Sequence, residues 1–251
     1  MILQVQPRLE RKESWEGFSE KEGLFYELLE FSLPGNTPRT EALSYYRNTG
    51  RAKSFHGAFI DVNPASAEPK ICDISRSIME QSCKDALAAG CTDIVFHSSA
   101  HPFLNGAYLT RWAQKSADFF TGLYERYGLS VHVENSADAY PDALCALTDA
   151  LGNREGTDIC LDIGHANYSD VPLCEWFSKL GEKIGYIHLS DNFGKFDDHL
   201  PLGQGSVSCE EADRLIRKYG AAKKITLEMN TLEESKAALS FIREHRYFEG
   251  L

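Results

Sequence analysis

Nine side chains of metal-binding type fall at or just beyond the ends of six successive strand-like stretches: His56, His97, Glu134, Asp162, His165, His188, Asp197, His199 and Glu228. Five of the chain's eight histidines belong to this set. Imidazole nitrogens and carboxylate oxygens together suit zinc, manganese, cobalt or iron, so the residue types point to a divalent metal without choosing one. His165 follows Asp162 by three residues, where LDIGHAN turns out of a strand. Asp197 and His199 are two apart in DNFGKFDDHLPLGQG, a loop rich in Gly, Asp and Pro, where an extended backbone puts both on one side.

The elements that must position these groups alternate along the chain. Strand-like segments are read at 2–6, 24–32, 53–60, 92–98, 129–135, 157–164, 184–190 and 224–229. Helical stretches between them include 71–89, 107–127, 141–151, 170–181, 208–219 and 231–246. Gly90, Gly128, Gly152 and Gly220 follow four of these helices, where a left-handed cap is useful, and Thr231 with Glu234 forms a capping box. The first unit is weak, since only residues 11–22, with Gly17 inside, can supply its helix. Eight strands alternating with helices in 251 residues predict one domain, residues 1–251, folded as an α/β (β/α)8 TIM barrel, which brings strand ends to a shared mouth.

Strand parity supports the barrel. Residues i and i+2 share a face. His132 and Glu134 alternate with Val131 and Val133; His97 with Ile94 and Phe96; Tyr186, His188 and Ser190 with Ile187 and Leu189. Asp162 and Glu228 are each flanked by apolar residues. The apolar side suits a helix layer, and the polar side must face the barrel axis or mouth. Repeating the cost of an unpaired buried polar group on six strands calls for a metal or a substrate.

The segments SFHGAF, VFHSS, VHVENS, LDIGHAN, IHLSDN, DDHLPLGQG and TLEMN, in this order and spacing over residues 53–230, resemble the xylose isomerase-like barrel superfamily. That superfamily includes sugar isomerases and epimerases and the abasic-site nuclease endonuclease IV. Similarity to endonuclease IV implies three zinc ions: one on His56, His97 and Glu134; a second on Glu134 as a bridge, Asp162, His188 and Glu228; a third on His165, Asp197 and His199. Similarity to the epimerases implies one ion, zinc or manganese, at Glu134, Asp162, His188 and Glu228. Three divalent ions outweigh four carboxylates to leave about +2, which attracts phosphate, whereas one ion leaves about −2, better suited to a neutral sugar.

The epimerase resemblance implies a metal-dependent sugar or sugar-phosphate isomerase/epimerase in which Glu134 or Glu228 moves a proton through an enediolate. This is the leading expectation. The nuclease resemblance implies a trinuclear-zinc phosphodiesterase, and a third reading is a metal-binding barrel without catalysis. Two departures bear on the choice. The epimerases usually carry an Arg shortly after the seventh-strand His and Asp, where this chain reads Asn192-Phe193-Gly194-Lys195 and only Lys195 offers a charge. Relative to the nuclease, the chain is shorter and lacks long basic loops.

Composition narrows the partners. A formal net charge of −11 disfavours nucleic acid, whose binding depends on phosphate neutralisation by Lys and Arg. A small carbohydrate or sugar phosphate is the expected partner. No apolar run approaches the roughly 20 residues that span a bilayer, and the N-terminal MILQVQPRLERKE has no secretory pattern, so a cytoplasmic location is expected. Seven scattered cysteines without a C-x-x-C read as free thiols, with Cys160 a small apolar filler inside the barrel. His132 reads as a core or supporting residue, His101 as a loop residue and His245 as surface. Asn135, Ser136, Asn167, Ser190, Asp191 and Asn230 lie near the mouth, where they either bind hydroxyls or cap turns. Phe59 and Tyr26 either wall the site or pack in the core.

Overall fold

The structure, a computed structural model, describes residues 2–32, 39–136, 138–169, 171–221 and 223–251. Eight parallel strands close into a barrel in sequence order. They are β1 (Ile2–Val5), β2 (Phe25–Leu28), β3 (Ala52–His56), β4 (Asp93–His97), β5 (Ser130–Glu134), β6 (Thr157–Asp162), β7 (Ile184–Leu189) and β8 (Lys224–Leu227). Closure runs through β1 and β8, with Ile2 opposite Lys224 and Val5 opposite Leu227. The fold class expected from the alternation is the one found.

Nine α-helices lie among the described residues: α1 (Lys12–Glu22), α2 (Arg39–Thr49), α3 (Pro69–Ala89), α4 (Gly106–Tyr127), α5 (Asp142–Leu151), α6 (Ile163–Asn167), α7 (Leu173–Leu180), α8 (Cys209–Tyr219) and α9 (Leu232–Glu244). Their apolar faces cover the sheet. In α4, Trp112, Ala113, Ser116, Ala117, Phe120 and Leu123 recur at helical spacing and are buried. Fully burying a large apolar side chain such as Phe120 contributes roughly 1.5–3 kcal/mol, which is why these helices hold their register on the sheet. Thr231 and Glu234 form the expected capping box at the start of α9. Gly90, Gly128 and Gly220 end their helices in the left-handed conformation, whereas Gly152, at φ 57° and ψ −118°, does not.

Parity sorts the strand residues into two cores. Ile94, Phe96, Val131, Val133, Ile187 and Leu189 join the layer between sheet and helices. Val95, Cys160 and Tyr186 form a separate apolar cluster inside the barrel, so Cys160 is the interior filler expected. Several boundaries differ from the sequence reading, among them the 53–60 segment, which stops as a strand at His56. The 24–32 segment stops as a strand at Leu28, and Glu30–Ser32 forms a 3-10 turn. The 157–164 segment stops at Asp162, which caps α6. The helix read at 170–181 starts at Leu173, and Asp170 lies outside the described residues. No helix of the described residues is long and apolar enough to cross a membrane.

Candidate metal centre

Four strands end on a side chain of the set, His56 on β3, His97 on β4, Glu134 on β5 and Asp162 on β6, and β7 carries His188 one residue before its end. Glu228 follows β8 directly. His165 arrives by a local device. The Asp162 side chain accepts the His165 backbone N–H at 2.7 Å as the cap of α6, which folds His165 back over the strand end.

Asp197 and His199 depend on a longer loop, and Asp191 builds it. Its buried carboxylate accepts four backbone N–H groups, from Asn192, Val207, Gly203 and Gly205, at 2.8–2.9 Å. The backbone of Asp191 also pairs with Leu200 in both directions. His199 takes φ 50°, a left-handed conformation uncommon for a residue with a Cβ, and its Nδ1 donates to the Glu228 carbonyl at 3.0 Å. The loop thus delivers a strained histidine to a fixed place beside the last strand.

Glu134 is the hub. Its Oε2 lies 3.4 Å from His56 Nε2 and 3.6 Å from His97 Nε2; its Oε1 lies 3.4 Å from both His165 Nδ1 and His188 Nδ1. His188 Nδ1 is also 3.1 Å from Glu228 Oε2 and 3.9 Å from Asp162 Oδ2. Asp197 Oδ2 sits between His165 Nε2 at 3.1 Å and His199 Nε2 at 2.8 Å. Ligand atoms of His56, His97 and Glu134 lie within 4.8 Å of one another, as do those of Glu134, Asp162, His188 and Glu228. All nine expected side chains therefore converge at the mouth.

Whether these residues fit a cation is answered by their unsatisfied atoms. Both oxygens of Glu134, Asp162 Oδ2, His188 Nδ1 and Glu228 Oε2 are buried without a hydrogen-bond partner. Orphaned buried carboxylate oxygens are expensive unless a cation faces them. Three histidines have the opposite ring nitrogen on a backbone carbonyl: His56 on Gly57, His165 on Asn135 and His199 on Glu228. A carbonyl only accepts, so each of these Nδ1 atoms carries the proton and each Nε2 is left to bind.

The ionisation pattern follows from crowding. Burial pushes the Glu134 carboxyl up, but His188, His97 and His56 outweigh it and hold it well below the usual range. Burial raises Asp162; His165 opposes, Glu228 and Glu134 add to the rise, and it reaches about 7. Burial lowers His97 to about 4, with His56 and His165 adding to that against Glu134. His199 rises to about 10 because Asp197 and Glu228 outweigh its burial. A cation bound among these groups would therefore compete with protons.

Other polar residues of the mouth hold the scaffold. Asn135 exchanges two hydrogen bonds with the Asp162 backbone at 2.8 and 3.0 Å, and Asn167 donates to Asn192 and Ser206. The Ser136 carbonyl accepts from Tyr168, and Asn230 and Lys195 are exposed. Phe59 does wall the group, its ring 4.7 Å from His97 and 5.1 Å from His56. Tyr26 does not, being buried against Tyr46 in the outer core. His132 turns to Asp93 at 3.0 Å and to Asp158, away from the group. His101 and His245 are exposed.

Sequence reasoning missed Glu27. It is fully buried, and its Oε2 accepts from His188 Nε2 at 3.0 Å and from Tyr186 at 2.5 Å. Its burial is outweighed by His188, and the carboxyl is held below the usual range. Parity was the available signal, because Glu27 alternates with Tyr26 and Leu28 in the outer core.

Residues 25–245 match the family described as xylose isomerase-like TIM barrel, and the chain belongs to it. An uncharacterized protein of Methanocaldococcus jannaschii is 26% identical over 204 residues, 76% of each chain. A probable endonuclease 4 of Mycobacterium leprae is 25% identical over 199 residues, 73% of this chain and 75% of that one. The crystal structure of a D-tagatose 3-epimerase-like protein superposes with a TM-score of 0.75 at 20% identity, covering 98% of this chain and 97% of that one.

Proposed function

We propose that this member of the xylose isomerase-like TIM barrel family is a metal-dependent isomerase or epimerase acting on a sugar or sugar phosphate. The observation that carries the reading is the group Glu134, Asp162, His188 and Glu228, four buried side chains whose unsatisfied atoms converge within 4.8 Å. These residues would hold a divalent ion, zinc or manganese. When bound, such an ion polarises neighbouring hydroxyl and carbonyl oxygens as a Lewis acid and acidifies the adjacent carbon. Glu228 is the better-placed base. It is 5% exposed, against 0% for Glu134, whose two oxygens face four imidazoles. It would take the proton from the carbon next to the carbonyl and, once the enediolate has formed, return it to the neighbouring carbon, which interconverts aldose and ketose. Epimerisation would instead need delivery to the opposite face of the same carbon, the side of the second carboxylate. Glu134, held by four imidazoles, would keep its charge and serve as the second carboxylate of the pair. Phe59 would exclude water from one side.

The fold likeness to an epimerase-like protein and the −11 net charge support a small carbohydrate over a polyanion. The test is exchange of a carbon-bound proton for deuterium across a panel of ketoses and their phosphates with the protein loaded with zinc or manganese. Exchange at one carbon, lost in Glu228→Gln, is the expected result. No exchange with any member of the panel would defeat this reading.

One observation favours a second reading. Asp197 between His165 and His199 makes a third ligand group beside the two that share Glu134. The endonuclease 4 similarity extends over 199 residues. Both suit a three-zinc phosphodiesterase. Under it, elemental analysis finds close to three zinc ions per chain, His199→Ala loses one, and an abasic-site duplex is cleaved. Metal uptake without either activity would leave a non-catalytic metal-binding barrel.

A further inference from the structure

Strands β1 and β2 contribute nothing to the nine-residue group, yet both send polar side chains into the barrel directly beneath it. Gln4, Gln6 and Glu27 are all buried. The Gln6 amide donates to Glu27 Oε1 and to Glu228 Oε1, both at 2.9 Å. Glu27 Oε2 accepts from His188 Nε2 at 3.0 Å, Tyr186 at 2.5 Å and Thr226 at 3.3 Å. Gln4 in turn donates to the Tyr186 hydroxyl at 2.5 Å.

This arrangement differs from that of three other histidines of the group. Where His56, His165 and His199 rest a ring nitrogen on a backbone carbonyl, His188 rests Nε2 on a carboxylate. A carboxylate with three donors around Oε2 can only accept, so Nε2 keeps its proton and the Nδ1 lone pair is turned to Glu134, Asp162 and Glu228. On the other arm, Gln6 occupies Glu228 Oε1 and leaves Oε2, the atom without a partner, facing the group. We infer that Glu27 and Gln6 are positioning residues for the metal centre: together they choose which nitrogen of His188 and which oxygen of Glu228 are presented. The inference rests on the reading that the group binds metal, and not on which reaction follows.

Glu27→Gln cannot satisfy both arms. If its oxygen faces His188, its amide meets the Gln6 amide, donor against donor. If its amide faces His188, the ring must accept at Nε2 and carry its proton on Nδ1, aimed into the group. The experiment measures zinc affinity by competition with a chromophoric chelator near neutral pH for wild type, Glu27→Gln and Gln6→Met, with circular dichroism to verify folding. Glu27→Gln is expected to weaken binding about 10- to 100-fold, the usual effect of removing a partner behind a metal ligand, and Gln6→Met to weaken it less. In parallel, nitrogen-15 histidine spectra of the zinc-loaded wild type are expected to place the His188 proton on Nε2 and the metal on Nδ1. An affinity of folded Glu27→Gln within about threefold of wild type, or a His188 proton on Nδ1, would overturn the inference. If Glu27→Gln does not fold, the wild-type spectrum still decides. Wild-type protein that takes up no zinc overturns both this inference and the metal reading beneath it, while a missing isomerase activity touches neither measurement.

Discussion

Asp191→Asn should loosen the loop that carries Asp197 and His199 while leaving the barrel folded. In the structure, Oδ1 of Asp191 accepts from the Asn192 and Val207 amides and Oδ2 from those of Gly203 and Gly205. An asparagine keeps one oxygen, so at best two of the four bonds survive, and its NH2 then points at two N–H donors. Hydrogen bonds to a charged group contribute about 1.5–3 kcal/mol each, so losing two removes about 3–6 kcal/mol from the closed loop. Because 1.4 kcal/mol is tenfold in an equilibrium, the low end already predicts about a hundredfold faster native-state hydrogen exchange at Gly203, Gly205 and Val207. Amides of β4 and β5 should not change. The zinc complement should fall only at the His165, Asp197 and His199 group. Gly205→Ala should act in the same direction, since a Cβ there would come within 2.3 Å of the Asn192 carbonyl oxygen and 2.4 Å of Asp191 Oδ1. Exchange at these three amides unchanged within about twofold, with metal content intact, would refute the assignment of Asp191 as the organiser of this loop.

Four further outcomes are expected. Glu134→Gln should abolish turnover under either enzymatic reading while circular dichroism stays native; an active variant would remove Glu134 from the chemistry. Metal loading to about a thousand times the dissociation constant should add about 4 kcal/mol, or roughly 8–16 °C in Tm for a chain of this size, and identical melting with and without chelator would contradict a metal centre. His132→Leu should cost about 3 kcal/mol in urea unfolding, the low end for breaking a buried pair because Lys224 still reaches Asp93; a loss below about 1 kcal/mol would show that the pair does not matter. Cys174 is the one exposed thiol of the seven, and burial pushes Cys83 and Cys209 up to about 12, so native protein should show one fast-reacting thiol and all seven after denaturation.

What the sequence disclosed about the site follows a physical division. His56, His97, Glu134, Asp162 and His188 were legible because a charged or imidazole side chain at the buried parity of an apolar strand is costly, and five such strands cannot all be accidents. Glu228 was legible for the same reason, one residue past its strand. His165 was legible from spacing, although the stretch read as strand through 164 hid the reason: α6 starts at Ile163 and Asp162 caps it. The support beneath the site was harder to see. Glu27 sits in LFYELLEFS, a run with two glutamates; Glu30 lies in the turn after the strand and offers its carboxylate to the Leu9 amide and the Tyr46 hydroxyl. Choosing between them needs the true end of β2. Gln4 and Gln6 carry no charge and so no burial penalty large enough to stand out. Asp191 read equally well as a hydroxyl ligand or a turn residue, because its four donors come from residues up to sixteen positions away and only the closed loop brings them together. Ligands announce themselves through the cost of burying a charge, whereas the groups that aim them are either neutral, as Gln4 and Gln6 are, or have their charge paired within the fold, as Glu27 has with His188 and Asp191 with four backbone amides.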